Sequence, residues 1–217
     1  MKPNALLAGS TGLVGTALLA LLSKNGYYEE LHLPVRRKTG QDKPGVVHHL
    51  VDFGNIESFQ PGKPIRDAYI CLGTTQKKAG GQAGFYKVDH DYVLNVAKWA
   101  KENGVDRICL ISSIGANAKS SSFYLKTKGK IEQELIQLGF KHLCIVRPSL
   151  LLGERNERRW AEDIAAKIYP VLSFILVGKL KKYRAVKAEK VAEAMFHFTT
   201  GLSEPLLIAE NDKILEV

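Results

Sequence analysis

The chain has 217 residues, of which 45% are hydrophobic and 24% are charged. This composition is typical of a globular protein and excludes a collagen-like, coiled-coil or wholly disordered chain. The 31 Lys and Arg residues outnumber the 22 Asp and Glu residues, which gives a formal net charge of +9. Such an excess suits nucleic acid, an anionic membrane or a phosphate-bearing ligand, and charge alone does not choose between them.

Short apolar runs alternate along the chain with longer segments whose apolar residues recur at helical spacing. Runs without polar alternation are typical of strands that helices cover on both faces. The predicted strands are residues 5–8, 31–35, 46–51, 68–72, 108–111, 143–146 and 206–208, and the predicted helices are residues 12–25, 86–103, 124–138, 159–169 and 187–198. This order predicts an α/β fold: a doubly wound parallel sheet in one Rossmann-like domain over residues 1–217. Residues from about 150 onward would contribute a small substrate-side portion.

The first predicted strand runs directly into a glycine-rich loop with the spacing GxxGxxG. Glycines at these positions allow a tight turn, bring backbone N–H groups close to a pyrophosphate, and let the following helix pack on the strand. The N-terminal end of that helix carries a positive partial charge, which favours an anion. The loop therefore predicts a dinucleotide site that comprises Gly9, Ser10, Thr11, Gly12, Leu13, Val14 and Gly15.

Two arginines, Arg36 and Arg37, directly follow the second predicted strand. NAD-binding domains usually carry an acidic residue at this point, whereas arginine suits the 2′-phosphate of NADP(H). Two guanidinium groups can bind that phosphate and stack on the adenine. We therefore expect NADP(H) as the cofactor; the alternative for these two residues is a pair of solvated loop charges.

The ends of the third and fourth predicted strands offer further contacts to a dinucleotide. Asp52 and Phe53 could meet the amine and the face of the adenine ring. Small residues after the fourth strand would let the cofactor cross the strand ends, and this segment includes Leu72, Gly73 and Thr74.

A serine pair and a YxxxK segment form the candidate catalytic group. Ser112 and Ser113 follow the fifth predicted strand, and Tyr124 and Lys128 open the next predicted helix. Positions i and i+4 share one helical face, so the tyrosine hydroxyl and the lysine ammonium can reach one site. The cation favours the phenolate, which helps the tyrosine exchange a proton near neutral pH. A serine hydroxyl can hold the substrate oxygen where charge develops.

Taken in order, these motifs resemble those of the compact atypical short-chain dehydrogenases/reductases, and more closely the Tat-interacting-protein-like oxidoreductases. The resemblance extends over nearly the whole chain and rests on residues 9–15, 36–38, 51–53, 71–75, 88–94, 110–116, 124–129 and 147–148. It implies that Tyr124 is the proton donor or acceptor and that Lys128 binds the nicotinamide ribose. Ser113, or alternatively Ser112, would orient the carbonyl group.

The resemblance also implies roles for residues beyond the sixth predicted strand. Pro148 and Leu151 would line the nicotinamide, and Arg159 would contact the cofactor phosphates. One position departs from the larger short-chain enzymes: no asparagine plainly fills their fourth catalytic position, and Asp89 stands near the place where it would be sought.

Two functions from different classes are consistent with these residues. The leading hypothesis is an NADPH-dependent oxidoreductase that moves hydride to or from a carbonyl or alcohol, which the intact set Ser113, Tyr124 and Lys128 favours. The alternative is an NADP(H)-sensing regulatory or scaffold protein with vestigial catalytic residues, which the missing asparagine favours.

Metal, membrane and nucleic-acid partners find less support in the sequence. Three widely spaced cysteines (Cys71, Cys109 and Cys144) lie in apolar runs without CxxC pairs, so we expect buried thiols and no metal. The densest basic stretch, residues 179–184, is either an anionic-surface patch or a solvated loop. Because basic residues are spread and lack interleaved aromatics, we expect no nucleic-acid partner.

The last expectations concern the cellular location of the protein, its partners and its oligomeric state. Residues 1–9 lack the long apolar stretch of a signal peptide, and the apolar run 169–177 is too short to span a membrane. We therefore expect a cytoplasmic protein without a membrane span. Its expected partner is a small-molecule substrate of unknown identity, bound by a monomer or a homodimer.

Overall fold

The computed structural model of the protein describes residues 2–37, 43–152 and 178–217. The described residues form a seven-stranded sheet and a separate pair of short strands. The large sheet contains β1 (Ala5–Ala8), β2 (Leu31–Val35), β3 (Val46–Leu50), β4 (Asp67–Ile70), β5 (Arg107–Ile111), β6 (His142–Arg147) and β9 (Leu206–Glu210), and the short pair is β7 (Leu151–Leu152) and β8 (Val186–Lys187).

Helices connect the strands of the large sheet. They are α1 (Leu13–Asn25), α2 (Gln82–Tyr86), α3 (Tyr92–Glu102), α4 (Phe123–Gln137), α5 (Ala188–Gly201) and α6 (Asn211–Glu216). A π-helical turn, Lys87–Asp91, joins α2 to α3. The helical segment predicted to begin at residue 86 therefore begins at Gln82 and is not a regular α-helix throughout. The helix predicted for residues 159–169 lies outside the described residues. No helix among the described residues has the length and apolar character that a membrane crossing needs.

The strand order of the large sheet is β3-β2-β1-β4-β5-β6-β9, and every neighbouring pair is parallel. Growth of the sheet reverses direction between β1 and β4. Ligands of such sheets bind outside the carboxyl ends of the strands at this reversal point. The predicted doubly wound, Rossmann-like fold is therefore confirmed, and the reversal point locates the candidate site.

Two apolar cores cover the two faces of the sheet, and β1 contributes to both. Ala5 and Leu7 pack in the core that contains side chains of α1 and α5, whereas Leu6 and Ala8 pack in the core of α3 and α4. Successive strand residues point to opposite faces. The run of four apolar residues therefore follows directly from a central position between two helical layers.

Candidate active site

A cleft of about 370 Å³ opens at the carboxyl ends of β1 and β4. Residues predicted to bind the cofactor form most of its lining: Gly9, Ser10, Thr11, Gly12, Arg36, Arg37, Phe53, Leu72 and Gly73. The remaining lining residues were not predicted as cofactor contacts and are Pro34, Val35, Cys71, Val88 and Tyr92. The cleft thus lies where the strand order predicts a dinucleotide to bind.

Two glycines allow the close backbone contacts of the loop that begins the cleft. Gly9 has φ +90°, and a Cβ atom there would lie 2.5 Å from the carbonyl carbon of Cys71. A Cβ atom on Gly15 would lie 2.0 Å from the carbonyl oxygen of Gly9, so α1 can approach the loop only without a side chain. Leu13 and Val14 begin α1, and Val14 is buried in the core. The backbone of this loop therefore fits a pyrophosphate at the start of α1.

The cleft carries positive charge at the end of β2. Arg36 and Arg37 are both exposed and both line the cleft. None of the described residues that line the cleft carries a carboxylate. The two guanidinium groups could bind an anion at this end of the cleft.

The side chains of Asp52 and Phe53 lie in different depressions of the surface, although the two residues are neighbours in sequence. The carboxylate of Asp52 accepts a hydrogen bond from the Gly54 N–H at 2.8 Å and faces an adjoining depression, outside the cleft lining. Phe53 is buried, lines the cleft, and packs on Tyr92 with ring centroids 5.9 Å apart. Of the two predicted adenine contacts, only Phe53 therefore lies at the cleft.

One face of α4 carries the YxxxK pair and a further acidic residue. Tyr124, Lys128 and Glu132 follow one another at four-residue intervals. Tyr124 is 38% exposed and packs on Phe85 with ring centroids 5.6 Å apart, whereas Lys128 and Glu132 are buried. A Cβ atom on Gly129 would lie 2.1 Å from the backbone nitrogen of Ala118. Glycine at this position lets the helix rest against the loop that follows β5.

Lys128 is paired with Asp89. Its ammonium nitrogen lies 2.8 Å from Asp89 Oδ1, and the N–H of Thr74 donates to Asp89 Oδ2 at 2.8 Å. Asp89 follows Val88 in the π-helical turn, and Thr74 follows Gly73; Val88 and Gly73 both line the cleft. Lys128 and Asp89 are not among the cleft-lining residues, but through these neighbours their ion pair lies beside the cleft.

The two serines after β5 have different partners. Ser112 is buried, and its hydroxyl donates to the carboxylate of Glu132. Arg147 Nε donates to the same carboxylate at 3.0 Å, and the hydrogen bonds with Glu132 and Glu210 raise the pKa of Arg147. The Ser113 hydroxyl is only partly buried and makes one long hydrogen bond, of 3.3 Å, to the carbonyl of Ile114. Ser113 is therefore the serine whose hydroxyl can turn to a substrate at low cost.

The segment after β6 runs beside these serines. The carbonyl of Pro148 accepts a hydrogen bond from the Ile114 N–H at 2.9 Å, and Leu151 begins β7. Arg159 lies outside the described residues. The three cysteines are buried, and burial raises the pKa of the Cys71 thiol, so this cleft residue stays protonated. In the described ranges, no group of three or more His, Cys, Asp or Glu side chains is arranged to hold a metal.

Sequence reasoning missed Val88 and Tyr92 as cleft residues and the pairing of Asp89 with Lys128. All three residues lie on the turn Lys87–Asp91 or directly after it. A π-helical turn inserts an extra residue and shifts the faces of the helix, so a regular helical period does not locate these side chains. The signal in the sequence was Asp89 itself, which stands near the place where the fourth catalytic residue of the larger short-chain enzymes would be sought.

Comparison with known proteins agrees with the fold and with the predicted family. Residues 5–204 match the model of the NAD-dependent epimerase/dehydratase family. The FMP52 protein of Debaryomyces hansenii is 37% identical over 207 residues, which cover 94% of this chain and 89% of the relative. The HTATIP2 protein of Rattus norvegicus is 35% identical over 170 residues, which cover 76% of this chain and 70% of the relative.

Among solved structures, MoeE5 in complex with UDP-glucose and NAD has the same fold. It superposes with a TM-score of 0.71 at 12% identity, over 98% of this chain and 80% of that chain. At this identity the likeness extends to the fold alone.

The expected cytoplasmic location is wrong. The FMP52 protein of D. hansenii, which matches almost the whole chain, is named a mitochondrial protein. The expectation rested on the lack of a signal peptide and of a membrane span. Neither feature separates the cytoplasm from an organelle, because both compartments hold proteins without such segments.

The resemblance to the atypical short-chain dehydrogenases/reductases is confirmed by the family match and by the HTATIP2 relative. The match also confirms the prediction of a nicotinamide-dependent, oxidoreductase-type enzyme at the level of NAD(H) binding. The roles of individual residues stay predictions. On its strand order, its glycine loop and this match, the chain belongs to the NAD-dependent epimerase/dehydratase family.

Proposed function

We propose that the protein is an NADPH-dependent oxidoreductase that transfers hydride between the cofactor and a carbonyl or alcohol. One observation carries the proposal: the helical face with Tyr124 and Lys128 is joined, through Asp89, to the edge of a cleft that two arginines border. Acid–base groups beside a cleft whose other end carries two arginines suit proton and hydride transfer with a phosphorylated dinucleotide.

The chain offers groups for each part of NADPH. Backbone N–H groups of the loop between Gly9 and Gly15 would bind the pyrophosphate. Arg36 and Arg37 would bind the 2′-phosphate, and Phe53 would pack against the adenine. The remaining hydrogen atoms of the Lys128 ammonium would donate to the nicotinamide ribose.

When bound, NADPH would supply the hydride for the carbonyl carbon. The protein's side chains would protonate the carbonyl oxygen and hold it by a hydrogen bond. Tyr124 would donate a proton to that oxygen, and Lys128 would stabilise the phenolate that remains. Ser113 would donate a hydrogen bond to the same oxygen and hold the carbonyl in place. In the reverse direction the Tyr124 phenolate would accept the proton of an alcohol.

A second candidate is an NADP(H)-sensing protein with little or no turnover. Among the described residues, the Tyr124 hydroxyl has no hydrogen-bond partner, and the Lys128 ammonium is already paired with Asp89. The Asp89 carboxylate offsets the charge by which Lys128 would favour the Tyr124 phenolate, and this favours little or no turnover. Turnover separates the two candidates, because only the enzyme needs the Tyr124 hydroxyl.

Cofactor affinity tests the proposal without a known substrate. Calorimetry should show that NADPH binds at least about tenfold more tightly than NADH, a difference of about 1.4 kcal/mol. The double variant Arg36→Ala/Arg37→Ala should lose most of this preference. The variant Lys24→Ala/Lys141→Ala removes the same charge from exposed positions outside the cleft lining and should keep it. Equal affinity of the unmodified protein for the two cofactors would contradict the proposed NADPH specificity.

A further inference from the structure

We propose that Asp89 is a positioning residue, which holds the Lys128 ammonium and the loop at Thr74 in a fixed relation beside the nicotinamide end of the cleft. This inference rests on the proposed function, because it takes Lys128 as the ligand of the nicotinamide ribose. Asp89 would act through Lys128 and would not touch the cofactor itself.

Burial makes the pairing of Asp89 with Lys128 necessary. The side chains of Lys128 and Asp89 are only 6% and 2% exposed, so neither charge is solvated. A buried charge without a partner carries a large desolvation penalty, whereas a paired one is tolerated. Removal of the Asp89 charge would therefore leave a buried ammonium group without a counter-ion, which favours its movement away from this position.

Both oxygens of Asp89 are in use. Oδ1 lies 2.8 Å from the Lys128 nitrogen, and Oδ2 accepts the Thr74 N–H at 2.8 Å. A Cβ atom on Gly73 would already lie 3.4 Å from Oδ1, so the loop passes close to the carboxylate. One side chain thus fixes two parts of the cleft edge, the ammonium group and the backbone of residues 73–74.

The turn that carries Asp89 has a separate attachment to α4. The neighbouring His90 lies with Nε2 2.9 Å from Glu134 Oε1 and with Nδ1 2.9 Å from Asp91 Oδ1, and its ring stacks on Tyr86 at 4.3 Å. The turn is therefore held against α4 without Asp89. A π-helical turn at a binding cleft is a frequent feature of functional sites. The Asp89 carboxylate is thus available for Lys128 and Thr74 and is not needed to fasten the turn.

A double-mutant cycle on NADPH affinity tests the inference. Calorimetry would compare the unmodified protein with Asp89→Asn, Lys128→Met and the double variant. Asparagine keeps an acceptor for the Thr74 N–H but removes the charge. Each single variant should bind NADPH about tenfold more weakly, the usual effect of losing one charge-assisted hydrogen bond. The double variant should bind no more weakly than Lys128→Met, because Asp89 then has no ammonium left to hold.

A matched control is Asp91→Asn, which removes the same charge from the same turn. It should leave NADPH affinity within about twofold of the unmodified protein, since Asp91 faces His90 and not the cleft. If Asp89→Asn alone does not fold, the comparison of Lys128→Met with the double variant carries the test. In that background the loss of the Asp89 charge must leave the affinity unchanged.

Two outcomes would overturn the inference while leaving the proposed function intact. One is an Asp89→Asn variant that binds NADPH as tightly as the unmodified protein. The other is a double variant whose loss multiplies the two single losses to about a hundredfold, since additive free energies mean independent actions. An unmodified protein that binds neither NADPH nor NADH would overturn the proposed function and this inference together.

Discussion

The Ser112 hydroxyl donates a hydrogen bond to the carboxylate of Glu132. Glu132 lies one helical turn beyond Lys128 on the same face of α4. Glu132 is buried, and it also binds Arg147 through both of its oxygens. Ser112 thus belongs to a buried polar network that ties β5, β6 and α4 together. The adjacent Ser113 is not part of this network, and we propose it as the serine that binds the substrate.

The two serines should therefore respond differently to removal of the hydroxyl. Ser112→Ala should lower the free energy of unfolding by about 1–3 kcal/mol, because a buried carboxylate loses a donor, and denaturant unfolding measures this change. Ser113→Ala should leave stability nearly unchanged and reduce turnover of a carbonyl substrate by about a hundredfold. The reverse pattern would assign the substrate to Ser112.

Gly15 should be essential for both stability and cofactor binding. In Gly15→Ala the new methyl group would lie 2.0 Å from the Gly9 carbonyl oxygen, so α1 must move away from the loop. We expect a loss of about 2 kcal/mol or more in the free energy of unfolding, typical of overpacking, and at least tenfold weaker NADPH binding.

The matched control for Gly15→Ala is Gly201→Ala, at the last residue of α5. A Cβ atom there has no atom within 4 Å. Its stability should change by no more than about 0.5 kcal/mol, and NADPH affinity should stay the same. Equal NADPH affinity of Gly15→Ala and the unmodified protein would show that the loop does not cradle the pyrophosphate.

The sequence predicts those features that depend on local patterns. The run Ala5–Ala8 is apolar throughout because β1 lies between two helical layers, and this pattern identifies a central strand. Gly9 and Gly15 are recognisable in the sequence because only glycine fits there: a Cβ atom would lie 2.5 Å and 2.0 Å, respectively, from a neighbouring backbone atom. Tyr124 and Lys128 share a face because α4 is regular.

Features that depend on exact strand and helix ends could not be predicted. Which of Ser112 and Ser113 faces the core depends on the register of the chain after β5, because successive side chains point in opposite directions. Asp52 and Phe53 lie in a turn after β3, where no sequence period fixes the side-chain directions, and only Phe53 lines the cleft. Asp89 lies in a π-helical turn, which alters the helical period and so changes the face on which its side chain lies. The spacing of residues in the sequence does not predict such a turn.

A histidine pair on β2 and β3 should make stability fall in mild acid. His32 Nδ1 lies 2.9 Å from His49 Nε2, with Glu30 3.3 Å from the other nitrogen of His32. Burial and the neighbouring His49 lower the pKa of His32, although Glu30 opposes them, and burial and His48 lower that of His49. Both pKa values are lower in the folded protein than in the unfolded chain, where histidine titrates near pH 6.5. The contribution of this pair to stability is therefore complete above about pH 6.5 and declines as the pH falls below it.

Urea unfolding between pH 7.5 and 5 measures this decline, whose slope is at most about 1.4 kcal/mol per pH unit for each proton. His32→Leu should reduce the slope, since it removes one of the two groups. His197→Gln, at an exposed position of α5, should leave the slope unchanged. A stability that does not depend on pH in this range would contradict the assignment of two neutral imidazoles in the folded protein.

The rate of NADPH oxidation by Tyr124→Phe tests the central claim most directly. A panel of small aldehydes, ketones and quinones would first identify a substrate of the unmodified protein. Phenylalanine keeps the ring that packs on Phe85 and removes only the hydroxyl that would donate the proton. We expect turnover to fall by ~10²–10⁴, the usual contribution of a positioned acid–base group, with NADPH affinity unchanged. Turnover by Tyr124→Phe at the rate of the unmodified protein would contradict the mechanism.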